Sequence, residues 1–495
     1  MRNEFPSAFS GFGWLILPAF ALAIAILIVF GKPMYFAAAL GGMILLPIFF
    51  YSPRLALLVT VAAIPLEEAG VLSPDSLLGR ISLAKIFGAL ALLSWVLNVL
   101  AKKQPMRVPP AIWWLLAYLA VGLLSLFGAN DPGSGKTMLL RWTNTILFFL
   151  MVYNLVDSRL LIKRLLLTFL VISTAISAFA LLQRVMPQFQ YEQRGAQEIA
   201  DTVEFGAQVD VIEEDLLGKS VLRSGGTSYH PLILALNCTI LLPLLIVAVT
   251  RARGKPRFFA ALALIINFAA LLATGSRSGI VSCALMLLVL LFKGVIRPNR
   301  FMILGVLLIP FLVFPLLPAD LKDRLFSVDS YQVDRSSSLG YRVEMFKAGL
   351  SVWSDHPLLG AGLGNLTDMT TRMESDVLSG LASGVHNMYL QIAVETGLAG
   401  LCVMMIFLLG SLRIARQMEQ RALTAGDEPL RYLAQALSGC VWVLLIFGLS
   451  LDVMNFGLKN AWLLLSLLHV LPMLLNPKET PGALVTTPYT ADSHK

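Results

Sequence analysis

Long apolar runs separated by short polar segments dominate this chain. They fall at residues 14–31, 34–50, 53–66, 82–101, 111–128, 138–156, 161–182, 231–250, 258–274, 278–293, 300–317, 387–410, 431–451 and 458–475. A helix crosses a bilayer in about 20 residues, so most of these runs are long enough to span, and the third is short enough to be re-entrant. No stretch alternates strictly between apolar and polar positions, which excludes a β-barrel. The pattern predicts an all-α, polytopic integral membrane protein of about 12–14 transmembrane helices. Its segments are N-terminal helices over 1–182, a loop over 183–230, helices over 231–317, a large loop over 318–386, helices over 387–475 and a tail over 476–495. The tail, with Pro477, Pro481 and Pro488, has the composition of a disordered segment. No internal repeat and no matched pair of broken helices is visible, features that many secondary transporters carry.

Charge gives the predicted helices an orientation. Lys102, Lys103 and Arg107, then Arg159, Lys163 and Arg164, then Arg251, Arg253, Lys255 and Arg257 occupy alternate loops, followed by Lys293, Arg297 and Arg300 and by Arg413, Arg416 and Arg421. The positive-inside rule makes those loops cytoplasmic and both termini internal. The first apolar run lacks a convincing cleavage site and reads as an uncleaved span. The net charge of +8 is thereby explained without a polyanion, and no nucleic-acid partner is expected. Cys238, Cys283, Cys402 and Cys440 all lie in predicted helices, so neither a disulfide framework nor a CxxC metal site is indicated.

The two long loops then fall outside. Loop 183–230 is acidic at its centre, from Glu198 to Asp215, a solvated run in which no carboxylate pair stands out, and it turns into RSGGTSYHP at Arg223–Pro231. In loop 318–386, Val343, Phe346, Leu350 and Trp353 recur at helical spacing, predicting an amphipathic helix that lies on the membrane face or roofs a cavity. Asp355-His356-Pro357 ends it, because the residue before proline avoids helical geometry. Gly360, Gly362 and Gly364 then permit a tight turn able to present N–H groups to an anion.

The candidate chemistry clusters nearby. His386 opens HNMYLQIAVE, in which Asn387, Gln391 and Glu395 recur every four residues and share a helix face. Glu395 would lie about 12 Å below the helix start, and lipid exposure of a carboxylate is costly, so this face must turn inward. His386 is either a helix-capping residue at the interface or a functional group, and the polar stripe beneath it favours function. Arg277, in ATGSRSGIV, lies on the side where positive charge is generally depleted, flanked by Gly275, Ser276, Ser278 and Gly279. Snorkelling to headgroups would explain it, as would a polar corner of a site. Arg223 and Arg342 are the other external arginines in informative contexts, whereas Arg324, Arg335 and Arg372 read as solvated charges. Converging arginines suit a phosphorylated ligand through bidentate guanidinium–phosphate contacts. Nothing at Ser276 or Ser278 suggests a nucleophilic triad.

Taken in order, ATGSRSG, GYRVEMFKAGLSVW, GAGLGN and HNMYLQIAVETGLAG resemble the O-antigen ligase/polymerase superfamily of bacterial envelope proteins, over roughly residues 220–450. The resemblance implies a glycosyltransferase whose donor is a polyprenyl-diphosphate-linked oligosaccharide at the periplasmic face. Arg277, Arg342 and His386 fall on the family's motif positions, with Arg223 a looser match. On this reading His386, Arg277 and Arg342 are catalytic, while Arg223, Gly362, Gly364, Asn387, Gln391 and Glu395 bind substrate. No cofactor and no metal is expected. The product is a surface or exopolysaccharide built by polymerising repeat units. The alternative is a ligase that moves the glycan to lipid A–core or protein. A rival of another class is a transporter or flippase of lipid-linked sugars. Expected partners are the lipid-linked donor, a glycan or lipid A–core acceptor, membrane lipids and a chain-length regulator protein.

Overall fold

The computed structural model describes residues 52–66, 71–73, 81–103, 105–186, 226, 231–295, 338–365, 385–453 and 459–475. The predicted runs 14–31, 34–50 and 300–317, most of the acidic loop and the tail lie outside the described residues. Twelve helices follow in chain order: α1 Pro53–Ala63, α2 Leu83–Lys102, α3 Ala111–Ser125, α4 Pro132–Leu155, α5 Arg159–Val185, α6 Pro231–Arg251, α7 Lys255–Ala273, α8 Arg277–Phe292, α9 Ser338–Asp355, α10 Met388–Thr424, α11 Glu428–Phe447 and α12 Lys459–Leu475. Val71–Ser73 and Ile81–Ser82 add one short antiparallel ladder. Among the described residues eight helices are long and apolar enough to cross a membrane, and α1, α8 and α12 are shorter apolar helices. This is an all-α multi-pass membrane protein.

The helix starts are written locally. Ser52, Asp131, Ser158, Ser276, Asn387 and Asp427 each cap a helix N-terminus with a side-chain oxygen. Proline follows the cap directly in α1 and α4 and is the second residue of α11, where its missing N–H costs nothing. The Asp131–Pro132 start explains why α4 begins six residues before its apolar run. Hydrogen bonds from Ser134 Oγ and from the Gly133 and Ser134 N–H groups hold the Asp131 carboxyl below its usual range. Large apolar side chains such as Leu100, Phe127, Leu140 and Phe292 remain exposed, as a lipid-facing surface requires. Inside, polar pairs tie helices together: Ser177 of α5 donates to Asn267 of α7 (2.8 Å), Asn460 of α12 to Asn237 of α6 (2.8 Å), and Lys293 to Ser438 of α11 (2.6 Å).

One helix departs from the sequence pattern. The run 387–410 predicts a continuous span, yet α10 is broken at Gly397 (φ 66°, ψ −168°) and extends to Thr424. In an unbroken helix the Leu398 and Ala399 N–H groups would donate to the Val394 and Glu395 carbonyls. Here the segment Pro357–Gly362 is inserted between them. Leu398 N–H donates to Pro357 (2.8 Å) and Ala399 N–H to Leu358 (3.2 Å), while Ala361 N–H donates to Val394 (2.8 Å) and Gly362 N–H to Glu395 (3.2 Å). These four backbone groups freed by the break are therefore paired again, as a low-dielectric interior demands. Two glycines make the crossing possible. A Cβ on Gly397 would meet the Leu358 carbonyl at 2.2 Å, and one on Gly360 would meet the Glu395 carbonyl carbon at 2.5 Å.

Connectivity sorts the helix ends. Short turns make α6, α7 and α8 successively antiparallel, and likewise α10 and α11. Met388 N–H donates to Gly448 just past α11, and Asn460 meets Asn237 near the start of α6. The starts of α6, α8, α10 and α12 thus share one end of the bundle, with the ends of α5, α7 and α11. Lys103, Arg107, Arg159, Lys163, Arg164, Arg251, Arg253, Lys255, Lys293, Arg416 and Arg421 gather toward the other.

The break predicts a contrast between two glycines of the same helix. Gly397→Ala needs an L residue at positive φ and overlaps backbone, costing more than about 2 kcal/mol. Gly410 has open space around its Cβ position, and Gly410→Ala should be neutral or stabilising by up to about 1 kcal/mol. Thermal unfolding in detergent should show a clear drop for the first variant only. Equal midpoints would mean that the helix is not broken there.

Candidate functional site

The site is assembled at the bundle end that carries the starts of α8 and α10. The amphipathic segment forms α9 and ends at Asp355 as its His-Pro pair predicts. Of the stripe chosen by periodicity, Val343, Phe346 and Leu350 are exposed, whereas Trp353 is partly buried against the inner cluster. Met345, Ala348, Gly349 and Val352 face inward, packing with Ala361, Val385, Leu390 and Val394. Small residues at 348 and 349 let α9 approach so closely that the Val385 methyls would lie 3.3 Å from a Cβ on Gly349. Two apolar stripes coexist on this helix, and fit rather than hydrophobicity decides which is buried. Arg342, half-buried, lies about two turns before Gly349.

His386 connects this layer to α10. It is half-buried and takes φ 51°, a left-handed conformation uncommon for any residue with a Cβ. Constraints on both sides hold it there. Before it, Val385 N–H donates to Gln391 Oε1 (2.9 Å), and the Val385 side chain is packed under α9. After it, Asn387 caps α10, its Oδ1 accepting from the Tyr389 (3.0 Å) and Leu390 (3.1 Å) N–H groups while its Nδ2 donates to the Leu449 carbonyl (3.3 Å). Gln391 and Glu395 are 2% and 1% exposed, and Gln391 Nε2 donates to Glu395 Oε1. The face proposed to hold substrate thus turns into the protein. Tyr118 of α3, also buried, lies within electrostatic reach of Glu395 and Asp452.

The glycine turn is spent on structure too. Besides the Ala361 and Gly362 donors used at the helix break, Leu363 N–H donates to Ser125 Oγ (3.0 Å) and Asn365 N–H to the Gly362 carbonyl (2.9 Å). Gly362 and Gly364 take positive φ where the chain presses on Ala129 and Ser134. An anion cradle would need those N–H groups unoccupied, so the binding role expected of Gly362 and Gly364 has lost most of its donors. Asn365 completes the strap: it accepts from the Asp131 N–H (2.7 Å) and donates to the Asp131 carbonyl (2.9 Å), as a strand partner would.

Arg277 is the first residue of α8, with an exposed side chain. The corner behind it is tight and polar. Ser276, 4% exposed, accepts from Gly279 N–H (3.1 Å) and shares a hydrogen bond with Ser278 (3.2 Å), while its own N–H donates to Thr274 Oγ1 (3.2 Å). Arg223 lies outside the described residues, but Gly226 of the same RSGG sequence is pinned to the end of α5. Gln183 accepts from its N–H and donates to its carbonyl, both at 3.0 Å. The structure therefore brings Arg277, Arg342 and His386 to one end of the bundle. Sequence reasoning missed Gln183, Asn365 and Ser125, whose partners are far away in the chain.

Residues 260–405 match the O-antigen ligase family model. The matched segment begins within α7, takes in α8, α9 and the glycine strap, and ends inside α10 beyond the break. It contains Arg277, Arg342, His386, Asn387, Gln391 and Glu395, and the match supports an O-antigen ligase- or polymerase-type function acting on glycans. No curated protein matches the chain.

The capping geometry makes a separate prediction for Asn387. Asn387→Asp keeps an acceptor for the Tyr389 and Leu390 N–H groups, whereas Asn387→Ala removes it at a cost of about 1 kcal/mol. Asp also loses the donor to the Leu449 carbonyl, so thermal unfolding should rank wild type first, Asp below it and Ala lowest. Equal stability in all three, with a raised KM for donor in both variants, would instead mark Asn387 as a substrate ligand.

Proposed function

We propose that this protein is an inner-membrane glycosyltransferase that uses a polyprenyl-diphosphate-linked oligosaccharide as donor at the periplasmic face and polymerises repeat units. The observation that carries the reading is that Arg277, Arg342 and His386 share one bundle end, away from the basic groups Arg159–Arg164, Arg251–Lys255 and Arg416–Arg421. By the positive-inside rule the basic end is cytoplasmic, which turns the site outward. The exposed Val343–Phe346–Leu350 stripe of α9 then rests on the outer leaflet.

In the proposed reaction the acceptor hydroxyl oxygen attacks the anomeric carbon of the donor. The bond from that carbon to the diphosphate oxygen breaks, and the electron pair leaves with the polyprenyl diphosphate. His386 takes the acceptor proton, a general-base role that an imidazole can fill. Arg277 and Arg342, with Arg223 from the RSGG turn, stabilise the charge growing on the diphosphate, the electrostatic mode of catalysis. No metal is required, and direct displacement inverts the anomeric centre. The ligase alternative shares all of this chemistry and differs only in acceptor.

Purified protein in nanodiscs, given lipid-diphosphate oligosaccharide, should build a ladder of repeat units, and excess EDTA should not stop it. His386→Asn is the cleanest probe, because asparagine tolerates left-handed φ and removes only the base. Transfer should fall by about 10²–10⁴-fold with donor binding retained. Arg277→Lys and Arg342→Lys should also be damaging, since lysine keeps the charge but loses the fork. A wild-type rate in His386→Asn refutes the base, and loss in EDTA that divalent ions restore refutes the metal-free mechanism. Single transfer to lipid A–core without a ladder selects the ligase, and passage of donor across liposomes without a new glycosidic bond selects the transporter.

A further inference from the structure

We infer that Glu395 is a positioning residue for His386, acting through Gln391 on the peptide that precedes the histidine; this rests on the proposed role of His386 as base. The path is continuous. Glu395 Oε1 accepts from Gln391 Nε2, and Gln391 Oε1 accepts from Val385 N–H at 2.9 Å. Gln391 is thereby fixed in both rotation and amide orientation, because each end of its amide is used. A glutamine without the carboxylate below could swing away or flip its NH₂ toward Val385, where it has no acceptor to offer.

The peptide it holds is the one that needs holding. His386 has φ 51°, a conformation that persists only where the surroundings over-determine it. Asn387 and Leu449 hold the downstream side, and the Gln391 bond is a polar restraint on the upstream side. Glu395 is also tied through its backbone, since its carbonyl accepts from Gly362 N–H (3.2 Å) at the helix break. The glycine strap in turn is anchored to Asp131 through Asn365. One residue thus joins the frame of the site to the base. At 1% exposure its side chain is too enclosed to meet a glycan directly.

The polarity of the chain supplies a test that simple loss of stability cannot imitate. Gln391→Ala and Glu395→Ala should each lower kcat by about 10- to 100-fold, with the donor KM little changed, and the double variant should be no worse than either single one. Glu395→Gln still offers Oε1 to Gln391 and should keep kcat within about threefold of wild type. Gln391→Glu sets two carboxylates together without a donor and should be impaired. The swap Q391E/E395Q restores a donor between them, now running from 395 to 391, and leaves an oxygen for Val385 N–H, so kcat should recover. Should the alanine variants fail to fold, the Gln391→Glu single variant and the swap still decide the matter. A swap no more active than Gln391→Glu, or wild-type kcat in folded Gln391→Ala, overturns the positioning role. Full activity in His386→Asn would instead refute the base, a different failure with its own signature.

Discussion

The arrangement of α9 and His386 depends on a helix that is interrupted and repaired by another part of the chain. At Gly397 the α10 ladder opens by two hydrogen bonds, and the strap Pro357–Gly362 supplies both missing acceptors and both missing donors. In the interior of a membrane protein, four unpaired backbone groups would cost several kcal/mol each. The insertion is therefore obligatory once the helix is broken. It also determines where the rest must lie. The strap fixes the end of α9, α9 covers Val385, and Val385 together with Gln391 sets the conformation of His386.

The frame explains how the segment that carries α9 is joined to a membrane helix. Arg342 arrives on α9, Arg277 on the first turn of α8 and His386 on the approach to α10, with no shared stretch of sequence. Tight contacts at backbone level, with Gly360, Gly362, Gly364 and Gly397 as the crossing points, tie the end of α9 to α10 and to the turn between α3 and α4. Polar side chains near the site mostly serve as fasteners: Asn365 on Asp131, Gln183 on Gly226, Ser125 on Leu363, Asn387 on Leu449. In the proposed mechanism the groups left to meet substrate are few, a pattern expected when electrostatics and one base carry the chemistry.

How much of this was legible in the sequence differs by feature. Hydropathy located the described spans to within a few residues, apart from the early start of α4 and the long end of α10, where polar helical turns carry no apolar signal. The end of α9 was readable from Asp355-His356-Pro357, a local steric rule. Its buried face was not, because Val343, Phe346 and Leu350 obey the same periodicity as the smaller residues that pack. The break at Gly397 was invisible for a related reason: glycine is common in membrane helices, and only the partner strand distinguishes a break from a tolerated residue. GAGLGN looked like an anion-binding turn because glycine-rich loops of that kind exist; here close backbone approach accounts for its glycines. Gln391 and Glu395 were recognisable as an inward-facing pair from their four-residue spacing, but their connection to Val385 needed coordinates.

The central claim is that the strap and the broken helix stay locked together as the frame of the site. Leu359 and Leu398 are both exposed and flank the crossing, so cysteines placed there on a cysteine-free background report on it directly. The account predicts that a short thiol cross-linker joins them in nanodiscs and that the cross-linked protein transfers glycan at close to the uncross-linked rate. Failure to cross-link, or transfer that stops on cross-linking and returns when the link is cleaved, would contradict it.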